Sequence, residues 1–376
     1  MGKPEIRFKG YTDEWEQRKL GEYVSITSGE APSKFEVGTE LYVKVDDLNY
    51  NDKYVVDTQN KVAEHSTIKR VTKGSVIFPK RGAAIMTNKV RILGIDSYMD
   101  TNMMSLSSEK LDSEFLYNII SKEGLYKIAD TSTIPQINNK HIEPYEVIIP
   151  SLDEQKRIGV YFRSLDHLIT LHQRKCDEVK SLKKYMLQKM FPQNEQKVPE
   201  IRFEGFTEAW EQRKLGDVAQ EFKSGNSLKA DEIDITGDYP VYGGNGLRGY
   251  TSTYNHDGEY ALIGRQGALC GNMNYSAGKA YFTEHAVVVK ADENNVTRFL
   301  YYMLNIMNLG QYSDQSAQPG LAVNKLVKLE NSFPKKEEQQ QIGAYFRSLD
   351  HLITLHQQKC EELKKIKKFM LQKMFV

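Results

Sequence analysis

Apolar residues recur at alternating steps of four and three along a long segment in the middle of the chain. The positions in this series are Ile158, Phe162, Leu165, Ile169, His172, Cys176, Val179, Lys183, Met186 and Met190. The series is a heptad seam that is apolar except at His172 and Lys183. No Pro or Gly interrupts residues 160–191, and Pro192 follows. The pattern therefore predicts one uninterrupted helix, on the order of 55 Å long, which ends before that proline.

The same seam occurs a second time, from Ile342 to Met374. Segments 154–191 and 338–375 are identical at 29 of 38 positions. A helix with such a stripe cannot bury it alone, and the stripe is longer than one small domain covers. We therefore expect the two helices to pair with each other. The alternative is that each helix packs only on its own domain.

A leading segment is also duplicated. Residues 4–24 and 199–219 share 14 of 21 positions. The stretches that follow, body one (residues 25–150) and body two (residues 220–333), have little obvious identity. The sequence thus predicts a constant frame, made of leading segment and helix, that is present twice and holds two different bodies. Because each helix follows its own body, an antiparallel helix pair would place the bodies at opposite ends, and a parallel pair would crowd them together.

Both bodies contain an apolar strand that runs into a basic, glycine-containing turn. In body one the strand is 76–79 and the turn is 80–83, and in body two they are 261–264 and 265–268. Alternating Val, Ile, Tyr and Thr with frequent Gly turns predict strand-rich mixed α/β bodies. The fold class is therefore α+β, with two such domains joined by two long antiparallel coiled-coil helices in an internal pseudo-two-fold repeat.

The repeat gives the expected domain boundaries. The leading segment and body one occupy residues 1–153, and the first spacer helix occupies 154–195. The second leading segment and body two occupy 196–337, and the second spacer helix occupies 338–376. No apolar run is long enough to cross a bilayer, and residues 1–5 lack signal-peptide character. With three cysteines and no export signal, we expect reduced thiols and a cytoplasmic location.

Charge is distributed unevenly over the chain. The formal net charge is +1, while the bodies carry −2 and −3 and the constant segments 154–191 and 338–375 carry +5 and +3. A protein that binds DNA usually has a basic surplus. If the bodies bind DNA, their attraction to phosphate must therefore come from local patches.

Some residues of the bodies have side chains of the kinds that contact nucleic acids. Cationic side chains suited to phosphates are Lys69, Arg70, Lys73, Lys80, Arg81, Lys89 and Arg91 in body one, and Arg248, Arg265, Lys279 and Lys325 in body two. Amide side chains suited to adenine edges are Gln136, Asn138, Asn139, Gln266, Gln318 and Asn324, together with the turn residue Asn245. The alternative for any one of these residues is an ordinary solvated position.

Motifs for catalysis are not supported. The sequence has no Pro-Pro pair, and so no Asn-Pro-Pro-aromatic motif for adenine methylation. The segment Glu154-Gln155-Lys156 is similar to a nuclease E-x-K element, but its second copy lacks the lysine, and a capping role at the helix start is sufficient. Pairs of His and Cys four residues apart on the two seams offer four possible Zn²⁺ ligands, although packing residues are the favoured interpretation. These residues are His172, Cys176, His356 and Cys360.

The duplicated layout resembles the specificity (S) subunit of type I restriction-modification systems over essentially the whole chain. The matching motifs are Trp-Glu-Gln-Arg-Lys-Leu-Gly at 15–21 and 210–216, the helix starts at 154 and 338, and the stretch 239–246. The resemblance implies a non-catalytic subunit with two target recognition domains, each of which reads one half of an asymmetric, bipartite site on double-stranded DNA. The helices would set the gap between the half-sites.

The resemblance also implies partners. Two methyltransferase (M) subunits would dock on the helices, and motor-nuclease (R) subunits can join. S-adenosylmethionine, ATP and Mg²⁺ would be bound by those partners, and this chain would hold no cofactor. The alternatives are a stand-alone bipartite DNA-binding regulator and a coiled-coil scaffold that binds proteins.

Overall fold

The computed structural model describes residues 2–50, 52–130, 134–193, 196–267, 269–313 and 320–376. The chain divides into two compact units: unit 1 is residues 1–172 with 358–376, and unit 2 is residues 173–357. Each unit contains one body and parts of both long helices. Among the predicted site residues, Gln318 lies outside the described residues.

Short strands form most of unit 1, as the alternating pattern predicts. The described strands are β1 (Glu16–Lys19), β2 (Ser25–Ser28), β3 (Glu40–Val43), β4 (Tyr54–Val55), β5 (Lys61–Val62), β6 (Val76–Pro79), β7 (Arg91–Leu93), β8 (Tyr98–Met99), β9 (Met103–Ser107) and β10 (Glu146–Ile149). The described α-helices are α1 (Asp47–Tyr50), α2 (Ser113–Glu123), α3 (Asn139–Ile142) and α4 (Leu152–Lys189), which continues into unit 2. The carboxylate of Asp112 caps α2 by accepting from the Glu114 and Phe115 N–H groups.

Three sheets occur in the described part of unit 1. The largest has the order β2-β9-β6-β7-β4, in which β4 pairs parallel to β7 and the other pairs are antiparallel. A second sheet has the order β5-β3-β8. In the third, the constant strand β1 pairs antiparallel with β10, with Glu16 opposite Ile149. This last pairing fixes the leading segment beside the start of α4.

Unit 2 is built in the same way around a larger sheet. Its described strands are β11 (Glu211–Lys214), β12 (Ala219–Ser224), β13 (Tyr239–Gly243), β14 (Gly246–Thr251), β15 (His256–Gly264), β16 (Met273–Phe282), β17 (Ala286–Ala291) and β18 (Glu330–Phe333). Its described helices are α5 (Thr297–Ile306), α6 (Val323–Leu326) and α7 (Lys336–Lys373), which continues into unit 1. The sheet order is β12-β17-β15-β16-β13-β14, and β11 pairs with β18 as β1 pairs with β10.

The predicted antiparallel pairing of the long helices is confirmed within each unit. In unit 1, Lys367 of α7 binds Asp166 of α4, and the Cys360 Sγ lies 4.0 Å from the Ile169 carbonyl oxygen. Along these contacts the residue numbers increase in α4 while they decrease in α7, so the two helices run in opposite directions. The equivalent contact in unit 2 joins Lys183 of α4 to Asp350 of α7. The alternative, in which each helix packs only on its own domain, is wrong.

An aromatic cluster joins the end of a long helix to the core of each unit. In unit 1, Phe375 stacks on Phe115 with ring centroids 5.3 Å apart and also contacts Trp15 and Phe162. In unit 2, Phe191 stacks on Phe299, which corresponds to Phe115 in the repeat, with ring centroids 5.5 Å apart. Since Phe375 follows directly after the end of α7 and Phe115 belongs to body one, the residues just beyond the second helix complete the core of the first body.

A buried ion pair ties each leading segment to a helix start. The Glu154 carboxylate accepts from Arg7 Nε and Nη2, both at 2.7 Å, and its side chain is 1% exposed. Arg202 and Glu338 form the same pair in unit 2. The predicted place of Glu154 at a capped helix start holds, since α4 begins at Leu152 and the Glu154 N–H donates to Ser151 Oγ at 3.4 Å, but its carboxylate binds a guanidinium of the leading segment.

Within the described ranges, no helix combines the length and the apolar character needed to span a bilayer.

Candidate nucleic-acid interface

The basic turn of body one follows the carboxyl end of β6. Gly82 has a φ of 81°, a left-handed conformation that glycine adopts without Cβ strain. The Lys80 carbonyl oxygen accepts from the Ile137 N–H at 2.8 Å, and Arg81 forms a backbone bridge with Gln136. The fold thus brings together predicted phosphate-contacting and base-reading residues that are far apart in the sequence.

We define the turn site of body one as Lys80, Arg81, Gln136 and Asn138. Gln136 Nε2 donates to Asn138 Oδ1 at 3.3 Å, and Arg81 is exposed. Burial lowers the pKa of Lys80 below its ordinary value. Two cationic and two amide side chains at one edge provide both of the chemistries that contact DNA, phosphate binding and readout of base edges.

Body two has an equivalent arrangement after β15. The Arg265 N–H donates to the His285 carbonyl oxygen at 2.9 Å, and Arg265 Nη1 donates to Ser224 Oγ at 3.1 Å. Gln266 forms a backbone bridge with Gly320, and its Oε1 lies 3.1 Å from His285 Nδ1. We define the turn site of body two as Arg265, Gln266 and His285.

His285 was not predicted. It lies in the turn between β16 and β17, and the pairing of β15 with β17 places it beside Arg265. A single histidine in a loop has no periodic signal, so only knowledge of the strand order would have identified it.

Other predicted cationic contacts in body one bind the chain itself. Arg70 forms ion pairs with Glu40 and Glu64. Lys89 donates to Asn49 Oδ1. Arg91 donates to the Leu48 carbonyl oxygen. Lys73 is exposed, and its bond to Asp96 Oδ1 comes from the backbone N–H and not from the ammonium group. These contacts anchor neighbouring loops, while Lys69 is exposed.

The remaining candidates in body two, and Asn139, lie on exposed positions. Asn245 is at the tip of the hairpin that joins β13 to β14, which confirms the predicted turn, and Arg248 is exposed on β14. Lys279 Nζ lies 4.6 Å from the centroid of the Tyr254 ring. Exposed residues on the two short helices are Asn139 on α3 and Asn324 and Lys325 on α6.

The hypothetical zinc ligands on the seams form no metal cluster. Cys176 and Cys360 are buried, and each thiol faces a backbone carbonyl oxygen of the opposite helix. Across the part of the chain that the structure describes, no three His, Cys, Asp or Glu side chains are grouped to hold a metal ion.

The long helices also carry exposed apolar residues on the flank beside the seam. Each residue directly precedes a seam position, as Leu168 precedes Ile169 and Phe369 precedes Met370. In an antiparallel pair such positions of both helices lie on the same flank. We call these sets the outer stripe of unit 1 (Leu168, Leu171, Ile366, Phe369) and the outer stripe of unit 2 (Leu182, Tyr185, Leu352, Leu355). Their members are between 36% and 51% exposed.

A family model confirms the resemblance stated from the sequence. The model for the type I restriction modification DNA specificity domain matches residues 12–181 and 207–365. The two matches cover most of the chain, and each contains one body. The chain belongs to this family and carries two copies of its domain.

Two individual relatives of this chain are also specificity subunits of type I restriction enzymes. A stretch of 114 residues is 51% identical to the type I restriction enzyme EcoprrI specificity subunit of Escherichia coli, and the match covers 30% of this chain and 28% of that protein's length. The MjaVIII specificity subunit of Methanocaldococcus jannaschii is 22% identical over 396 residues, which cover 95% of this chain and 91% of that one.

A solved structure shows the same fold. The crystal structure of the type I restriction-modification S subunit from M. genitalium superposes with a TM-score of 0.72 and 18% sequence identity. It covers 100% of this chain and 99% of that one. The predicted α+β fold class with its internal repeat is therefore confirmed.

Proposed function

We propose that this chain is the DNA-specifying, non-catalytic subunit of a type I restriction-modification complex. The observation that carries this proposal is a duplicated frame that holds two different bodies, each with a turn site at the same point of its fold. Because the two turn sites differ in their side chains, they would read different base sequences. The DNA target would be an asymmetric site in two halves, with the helices setting the gap.

The charge of the bodies bears on how DNA binds. Net charges of −2 and −3 leave only local cationic groups to attract phosphates. We therefore infer that this subunit alone binds DNA weakly and that affinity increases when partner subunits enclose the duplex.

The outer stripes support the proposal that two methyltransferase subunits dock on the helices. Each stripe offers four large, partly exposed apolar side chains, and contiguous apolar patches of this kind are typical of protein interfaces. Since the stripes occupy equivalent positions of the repeat, two copies of one partner would bind alike. The docked partners would hold S-adenosylmethionine, and motor-nuclease subunits with ATP and Mg²⁺ could join them.

Arg81→Ala tests DNA reading by body one. In the complex reconstituted with its methyltransferase, we expect this variant to weaken binding to the preferred body-one half-site by about 1–3 kcal/mol, the usual loss when an arginine that donates two hydrogen bonds to a guanine edge is removed. The other half-site should be unaffected. The measurement is selection of bound duplexes from a randomised pool, followed by titration of the selected sites.

Arg70→Ala is the matched control, since Arg70 is also exposed but is ion-paired to Glu40. An equal loss of binding free energy for the body-one half-site in Arg81→Ala and Arg70→Ala would contradict the role of the turn site. Selection of no bipartite sequence by the wild-type complex would contradict DNA specification itself and favour the scaffold alternative.

The paired substitutions Leu171→Glu and Phe369→Glu test partner docking. They place two charges in the outer stripe of unit 1, so we expect the number of bound methyltransferase subunits to fall from two to one, as measured by native mass spectrometry. Val160→Glu is the control, because Val160 is 51% exposed on the same helix but does not belong to a stripe. Retention of two partners by the doubly substituted chain would exclude this docking surface.

A further inference from the structure

One carboxylate in each constant helix contacts both the opposite helix and the variable body. Asp166 of α4 accepts through Oδ1 from Lys367 Nζ of α7 and through Oδ2 from Lys53 Nζ, the latter at 2.8 Å. Lys367 belongs to the constant helix, whereas Lys53 belongs to body one. The two oxygens therefore connect two different parts of unit 1.

Asp350, at the equivalent position of the repeat, is bound in the same way. Its Oδ1 accepts from Lys183 Nζ of α4 at 2.5 Å, and its Oδ2 accepts from the Tyr302 hydroxyl at 2.6 Å. Lys183 is the counterpart of Lys367 in the constant helix, and Tyr302 belongs to body two. The ion pairs that Lys183 and Lys367 form with these carboxylates also explain why each seam carries a lysine among apolar residues.

The bodies supply their donors from unrelated places. Lys53 directly precedes β4, whereas Tyr302 lies on α5. One donor is an ammonium and the other is a phenol. Two dissimilar bodies thus contact equivalent carboxylates of the repeat through different elements. This is expected if the carboxylate is the point at which each body attaches to the helices.

Both donors are buried, so their contacts are not incidental surface pairs. The Lys53 side chain is 9% exposed, and although burial lowers its pKa, the carboxylates of Asp166 and Glu114 outweigh burial and raise the pKa above its ordinary value. Tyr302 is fully buried, and burial together with the hydrogen bond to Asp350 raises the pKa of its hydroxyl. Breaking the Tyr302 contact would leave its buried hydroxyl without this acceptor, whereas Lys53 would keep its second ion pair, with Glu114.

We propose that Asp166 and Asp350 are positioning residues: each constant carboxylate binds one donor from its body and one lysine from the opposite helix, and so fixes the angle of that body on the helices. This inference rests on the proposed DNA-reading function. A body held at one angle would present its turn site at one phase of the double helix. The attachment would thus define the gap without contributing to the half-site letters.

Tyr302→Phe is the mildest test, because it removes only the hydroxyl that binds Asp350. In the reconstituted complex we expect unchanged letters in both half-sites, but discrimination against a gap longer or shorter by one base pair should fall about tenfold. Asp166→Asn should have the same effect through body one. Full gap discrimination in both variants would overturn the proposal.

Asp177→Asn is the matched control for Asp166→Asn. Asp177 lies on the same helix, is 60% exposed and is 3.9 Å from Lys180, so this variant should keep the wild-type gap. Equal relaxation of the gap in the control would show that the effect comes from helix charge and would also overturn the proposal.

A local measurement separates this inference from the proposed function. The Ile92 N–H donates to the Lys53 carbonyl oxygen at 2.9 Å, so its hydrogen exchange reports on the attachment of body one without any DNA. We expect exchange at Ile92 to be at least about tenfold faster in Asp166→Asn than in Asp177→Asn. Faster exchange combined with no bipartite DNA motif in the wild type would reject the proposed function alone, and unchanged exchange would reject the positioning role.

Discussion

Replacing Phe375 by alanine is expected to lower the free energy of unfolding of unit 1 by about 3–5 kcal/mol. Phe375 is the penultimate residue of the chain, yet its side chain is 5% exposed and packs among Phe115, Phe162 and Trp15. Its removal would leave a cavity in an aromatic cluster that joins α7 to body one.

The two tryptophans of the chain allow the effect to be localised. Trp15 is in unit 1 and Trp210 is in unit 2, so Trp210→Phe leaves a fluorescence signal from unit 1 alone. In that background, Phe375→Ala should move the denaturant midpoint to lower concentration. Phe369→Ala, near the end of α7 but 50% exposed, should leave the midpoint nearly unchanged. Similar midpoints for Phe375→Ala and Phe369→Ala would contradict the role of the aromatic cluster.

Glu154→Ala is expected to destabilise unit 1 by about 3–5 kcal/mol, because it leaves the Arg7 guanidinium buried without its counter-charge. Arg7 is 15% exposed and Glu154 is 1% exposed, so the pair is largely shielded from water. The measurement is the same fluorescence-detected unfolding of Trp15.

A second variant shows whether the loss comes from an unpaired charge. The double substitution Arg7→Met and Glu154→Met replaces both partners by apolar groups of similar length, and we expect it to recover most of the stability lost in Glu154→Ala. Glu154→Ala and Glu338→Ala should destabilise units 1 and 2 respectively, since the two pairs have the same geometry. A double variant as unstable as Glu154→Ala would mean that packing, and not charge, dominates at this position.

Much of the frame could be predicted from the sequence. Seam positions such as Phe162 and Cys176 are buried at 0% and 2% exposure, because a heptad period is a local pattern that a single sequence displays directly. The antiparallel pairing was also predictable, since each helix follows its own body. The strand-turn motifs at 76–83 and 261–268 indicated where the turn sites would form.

Contacts between distant parts of the chain could not be predicted in the same way. The ion pair between Arg7 and Glu154 joins residues 147 positions apart, and neither residue belongs to a periodic pattern that points to the other. Tyr302 and Lys53 reach the same kind of acceptor from dissimilar elements, so comparing the two halves by sequence would not align them. The outer stripes, by contrast, could have been found, because Leu168 and Leu352 occupy the same position of the repeat.

The measurement that tests the central claim most directly is base-resolution mapping of adenine methylation in cells that express the methyltransferase with and without this subunit. We predict one asymmetric, bipartite motif that disappears when the subunit is removed. Replacing residues 25–150 by the corresponding body of a different specificity subunit should change one half of that motif and leave the other half intact. A motif that persists without the subunit, or a replacement that alters both halves, would contradict the account.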